Sequence, residues 1–115
     1  VLCKLCLVVG SGWCNHISLI LSAAKSVVDK SLKQGYSALI HCSDGWDRTV
    51  QITSLVQIML DPYFRTFQGF ETLIQKDWVD HGHQFRLRYG LNLKDEKDQR
   101  APIFLQFLDC VHQLI

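Results

Sequence analysis

Between residues 13 and 33 the apolar positions Ile17, Ile20, Leu21, Ala24, Val27, Val28 and Leu32 fall on one helical stripe, and Lys25, Asp29, Lys30 and Lys33 lie largely off it. The pattern predicts an amphipathic helix packed on a core, with the three lysines on its solvated face. Gln34-Gly35 ends it, and Ser37-Ala38-Leu39-Ile40-His41 has the length and central apolarity of a buried strand. A tight polar stretch follows, Cys42-Ser43-Asp44-Gly45-Trp46-Asp47-Arg48, before helical spacing resumes at residues 49–60 through Ile52, Leu55, Val56 and Met59. Asp61-Pro62 reads as an N-cap with proline at the first helical position, opening a new turn through Tyr63 and Phe64. Phe70, Leu73, Ile74 and Trp78 predict a further helix; Phe104, Phe107, Leu108, Val111 and Leu114 predict a last one after Pro102. Residues 92–100 are dominated by charge and suit an exposed loop. The expected fold class is therefore α/β, one buried strand delivering the polar loop and helices covering it.

Composition narrows the function classes. With 115 residues, 48% hydrophobic and 20% charged, the chain makes one compact domain at most and is neither disordered nor fibrous. A net charge of +1 offers no general attraction to nucleic acid or anionic lipid, so any phosphate recognition must come from a local site. Five scattered cysteines point to a reducing compartment over a disulfide framework. The apolar run at residues 1–9, broken by Lys4, is too short to span a bilayer and lacks a leader's basic flank. With Val1 in place of Met, it reads as the start of a partial chain.

The chemistry concentrates between the expected strand and the helix after it. A cysteine, five residues and an arginine opening a helix form a device for holding phosphate: the loop is short enough for successive backbone N–H groups to converge, and the helix adds its positive end. The same field favours the thiolate of Cys42 and makes it a nucleophile near neutral pH. Arg48 can fork two phosphate oxygens and hold the charge that builds on them in the transition state. Gly45 permits a backbone turn closed to other residues. Asp44 and Asp47 both lie within the loop, and either can protonate the leaving alkoxide and then activate the water that hydrolyses a phosphocysteine. The Thr49 hydroxyl can donate to the departing thiolate.

Cys-x5-Arg alone is a weak signal, but the string His41-Cys42-Ser43-Asp44-Gly45-Trp46-Asp47-Arg48-Thr49 resembles the active-site loop of the myotubularin family of phosphoinositide 3-phosphatases. The resemblance runs on through Gly12-Trp13 with His16, Leu60-Asp61-Pro62-Tyr63-Phe64-Arg65-Thr66, Gly69-Phe70-Glu71, Lys76-Asp77-Trp78, Gly82-His83 with Phe85, and residues 102–111. It covers residues 11–115, and residues 1–10 match poorly, so residues 1–115 are expected to be a fragment of one myotubularin-like, tyrosine-phosphatase-like catalytic domain, mostly helical after the loop. The resemblance implies removal of the 3-phosphate from phosphatidylinositol 3-phosphate and phosphatidylinositol 3,5-bisphosphate through a phosphocysteine, without metal or cofactor. It implies Cys42, Asp47 and Arg48 as catalytic residues, Asp47 being favoured over Asp44 as general acid. Ser43, Asp44, Gly45, Trp46, Thr49 and Arg88 would contact substrate. The partners implied are the lipid headgroup, a membrane surface reached through other domains, and dimers with family members. Nucleic acid is not among them. The implied location is cytoplasmic, peripheral on endosomal membranes. Where the family usually has Lys or Arg after its Gly-His pair this chain has Gln84, while Arg88 is retained, so one charge toward a second ring phosphate is lost.

Plainer readings accompany these. Cys3, Cys6, Cys14 and His16 lack the spacing of a structural zinc site. His81 and His83, two apart, would not share a helix face and suit placing or headgroup-facing roles. Trp78 and Cys110 read as core. His41 is expected to fix loop hydrogen bonds, and Trp46 to lie against the loop. Two other functions stay open: a protein tyrosine or dual-specificity phosphatase using the same loop, and a non-catalytic adaptor of the family.

Overall fold

The computed structural model describes residues 10–91 and 99–115. The apolar run at residues 1–9, with Cys3 and Cys6, and most of the charged stretch at 92–100 lie outside the described residues. Five helices organise the rest: α1 (Trp13–Gln34), α2 (Arg48–Leu60), α3 (Phe67–Leu73), the single-turn α4 (Phe85–Arg88) and α5 (Ile103–Leu114). A 3-10 turn, Pro62–Arg65, links α2 to α3, and α3 runs directly into a π-helical segment, Ile74–Val79.

Local chemistry accounts for the boundaries. Gly35 closes α1 in a left-handed conformation (φ 64°), and its N–H donates to the Ser31 carbonyl. The Asp61 carboxylate accepts from Tyr63 N–H at 2.8 Å with Pro62 at the first position of the turn, as the sequence predicts. Thr66 caps α3 by accepting from Gly69 N–H at 3.0 Å. Gly69 is required by proximity, since a Cβ there would lie 1.9 Å from the Tyr63 carbonyl oxygen.

α1, α2 and α5 pack around Ile17, Ala24, Val50, Leu55, Ile58, Phe107 and Cys110, all buried. Trp13 ties the start of α1 to α5 through a 2.5 Å hydrogen bond from its indole N–H to Asp109, and that bond holds the Asp109 carboxyl below its ordinary pKa. The π-helical segment is fastened to α2 by buried Asp77, which accepts from Lys76, Gln57 and Ser54. Its Trp78 is fully buried, with ring centroids 4.9 Å from both Phe104 and Phe107 of α5. Lys25, Asp29 and Lys33 pair along the exposed face of α1.

The expected strand does not form. Residues 36–41 carry no regular structure, Leu39 is 91% exposed, and no strand occurs among the described residues. The reason is physical: a strand exists only with a neighbour to take its backbone hydrogen bonds, and residues 36–41 make none to another described segment. The helical half of the α/β expectation is what the structure contains.

Candidate active site

The loop of residues 42–47 sits at the N-terminus of α2, where backbone N–H groups lack intrahelical partners. Gly45 takes the left-handed conformation (φ 91°) that turns the chain back, and its N–H donates to Cys42 Sγ at 3.2 Å. Burial pushes the Cys42 thiol up, but the Thr49 hydroxyl and the N–H groups of Gly45, Thr49 and Asp44 stabilise the thiolate more, bringing its pKa down from 9.0 to about 6. Thr49 Oγ1 is buried and makes no hydrogen bond of ordinary geometry among the described residues, so its hydroxyl acts on the sulfur by proximity. Arg48 is exposed at the loop's rim, its Nη2 donating to the Ser43 hydroxyl at 3.3 Å, and Ser43 in turn donates to Asp44 at 3.1 Å. A reactive thiol, converging amides and an exposed guanidinium are thereby brought together.

The two aspartates occupy different surroundings. Asp44 is exposed. Asp47 is drawn inward: its Oδ2 accepts from Arg88 Nε at 3.0 Å and Nη2 at 2.5 Å, and its Oδ1 lies 2.8 Å from His83 Nδ1. Arg88 Nη1 donates to the backbone and side-chain oxygens of Gln99 at 2.9 and 3.0 Å. The guanidinium that sequence assigns to the headgroup is thus engaged with the loop's own carboxylate and with the residue before Arg100. Gln84 is exposed, donating to the Gly82 carbonyl at 2.9 Å.

One histidine expectation changes and another narrows to its placing alternative. His41 is exposed, and the histidine that bonds to the loop is His83, whose Nδ1 lies 2.9 Å from the Trp46 carbonyl. Its imidazole is fully buried and so cannot face a headgroup directly. The sequence signal was the Gly-His pair itself: Gly82 (φ 81°) makes the bend that turns the chain back after the π-helical segment. Trp46 is half-buried with its indole N–H enclosed, in keeping with a place against the loop. Cys14 and His16 are exposed on the first turns of α1, and among the described residues no group of three or more His, Cys, Asp or Glu could hold a metal ion. An apolar groove of about 510 Å³ lined by Ile58, Phe64, Phe70 and Val111 shares no residue with the loop.

Comparison with known proteins agrees with this geometry. Residues 5–115 match the myotubularin-like phosphatase domain, so the match begins within the first ten residues. The chain is 52% identical over 103 residues to the Xenopus laevis protein named myotubularin, covering 89% of this chain and 17% of that protein. It is 52% identical over 101 residues to mouse phosphatidylinositol-3,5-bisphosphate 3-phosphatase MTMR2 (87% of this chain, 16% of the relative). To the Xenopus laevis phosphatase of the same substrate name, MTMR4, it is 47% identical over 104 residues (90% and 10%). The chain spans about a sixth or less of the length of these relatives. The extent of these matches, with the cysteine loop built as described, shows that this chain belongs to the myotubularin-like phosphatase domain family.

Proposed function

We propose that the protein carrying this chain removes the 3-phosphate from phosphoinositides, phosphatidylinositol 3-phosphate and phosphatidylinositol 3,5-bisphosphate, through a phosphocysteine. The observation that carries the reading is the Cys42 thiol, lowered to about 6 inside an amide-lined loop with Arg48 at its rim. In the first step the thiolate attacks phosphorus, an S–P bond forms, and the bond from phosphorus to the ring oxygen breaks. Arg48 and the loop amides hold the charge on the phosphoryl oxygens. Asp47 donates a proton to the leaving oxygen, a role for which Asp44 is the other candidate. In the second step the carboxylate takes a proton from water, the resulting hydroxide attacks the phosphocysteine, and inorganic phosphate leaves as Thr49 donates a hydrogen bond to the thiolate.

Ser43, Gly45 and Trp46 line the phosphate. Arg88 reaches the headgroup only by exchanging some of its bonds to Asp47 and Gln99 for bonds to substrate. Phosphoinositides are membrane lipids, so the proposal places the protein peripherally on cytoplasmic faces of endosomal membranes, reached through other domains and through dimers with relatives. Mouse MTMR2 and Xenopus MTMR4 carry the name of the bisphosphate 3-phosphatase activity, which supports the substrate class.

The test is phosphate release by the full-length protein from short-chain phosphatidylinositol 3-phosphate and from a phosphotyrosine peptide. Lipid-selective release that falls by about a thousandfold or more in Cys42→Ser is expected. No release from well-folded protein would favour a non-catalytic adaptor, and release from the peptide alone a protein phosphatase.

A further inference from the structure

We propose that His83 is a positioning residue for the reaction, setting the carboxylate of Asp47 from behind the loop. The inference rests on the reading of Asp47 as proton donor. His83 Nδ1 is 2.9 Å from the Trp46 carbonyl oxygen, which can only accept, so the hydrogen is on Nδ1 and is directed at the peptide immediately before Asp47. The same nitrogen stands 2.8 Å from Asp47 Oδ1, which receives no directed hydrogen bond from the described residues, while Arg88 takes Oδ2 from the other side. One ring thus fixes both the peptide that carries Asp47 and one flank of its carboxylate.

The imidazole cannot move to perform another task. It stands edge-on to Trp78, with ring centroids 5.0 Å apart at 82°, and to Phe85, at 4.6 Å and 89°. Its backbone N–H is bonded to the Trp78 carbonyl at 3.0 Å. Nε2 is buried and has no hydrogen-bond partner among the described residues. Enclosing a half-satisfied imidazole among aromatic rings costs free energy that an apolar side chain of similar size would not incur. The compensating gain is the geometry of the loop, because a proton donor displaced by about an ångström loses much of its effect.

The experiment compares His83→Asn, His83→Gln and Asp47→Asn in the full-length protein on two substrates. One is short-chain phosphatidylinositol 3-phosphate, whose leaving alkoxide needs a proton. The other is a fluorinated coumarin phosphate, whose acidic leaving group does not. The asparagine amide nitrogen replaces Nδ1, whereas that of glutamine replaces Nε2. His83→Gln is expected to lower kcat on the lipid by about tenfold to a hundredfold with KM within about twofold. On the coumarin substrate the loss should be at least about fivefold smaller, and His83→Asn should stay within about threefold of the parent on both.

Equal losses on the two substrates in His83→Gln, or equal impairment of the Asn and Gln variants, would overturn the proposal. So would full activity of His83→Gln. If Asp47→Asn shows the substrate dependence and His83→Gln does not, the positioning role alone fails. If Asp47→Asn shows none, the proton-donor reading fails and this proposal with it.

Discussion

The two ends of the active-site loop are held in opposite ways. At the Asp47 end, His83 and Arg88 grip the carboxylate and the preceding carbonyl, and behind His83 stand Trp78 and Phe85, joined to Phe104 and Phe107 of α5. At the Cys42 end the chain arrives through residues 36–41, mostly exposed and without regular structure. There the sulfur is held by its immediate neighbours in sequence, through Gly45 N–H in the loop and Thr49 in the first turn of α2. Placement of the Asp47 carboxylate is therefore a property of the helical core, whereas the lowered pKa of the Cys42 thiol is a property of a few local dipoles. A loop can acquire its electrostatics from within and its rigidity from one side only.

Three perturbations test that division. The largest effect should follow Trp78→Ala, which removes the fully buried ring behind the Asp47 end; a loss of about 3–5 kcal/mol in urea unfolding is expected. A loss below about 1 kcal/mol would show that the aromatic cluster does not carry this end.

A smaller change should follow at the thiol. Iodoacetamide alkylation of Cys42 should be half-maximal near pH 6, rising above it as thiolate forms and vanishing below it. Turnover should fall over the same range as pH drops. Cys110, raised to about 11 chiefly by burial and then by Asp109, should stay unreactive and serve as the contrast. Thr49→Val should move the Cys42 midpoint upward by about one unit, about 1.4 kcal/mol of thiolate stabilisation, without a matching loss of folding stability. An unmoved midpoint would return the shift to the backbone amides alone.

The smallest effect should come from Leu39→Lys. At 91% exposure Leu39 packs against little, so a change within about 0.5 kcal/mol is expected by urea unfolding of this chain. A larger loss would mean that residues 36–41 share the core after all.

Periodicity and caps made the helices legible. The stripe of Ile17, Ala24 and Val28, the Asp61-Pro62 start and the Pro102 start each express a local rule, and helices α1, α2 and α5 lie within a residue or two of where those rules put them. The same logic failed at Ser37 to His41, because a short apolar run does not say whether another strand is there to pair with it. Trp78, a member of the helical stripe with Phe70, Leu73 and Ile74, and Cys110, read as core of the last helix, are both fully buried.

The loop divides along the same line. Cys42, Gly45, Arg48 and Thr49 are neighbours in sequence, and interactions among neighbours follow from short-range geometry, so the lowering of the Cys42 thiol by Gly45 and Thr49 lies within reach of the string itself. What holds Asp47 could not be read in this way. His83 and Arg88 are 36 and 41 positions further along, and Gln99 further still. Their meeting depends on how the π-helical segment, the Gly82 bend and α5 pack. Sequence by itself therefore determined the helices and the reactive string. Tertiary structure decided which histidine supports the loop and where Arg88 places its charge, because contacts between distant residues arise from packing, and local propensity carries no record of them.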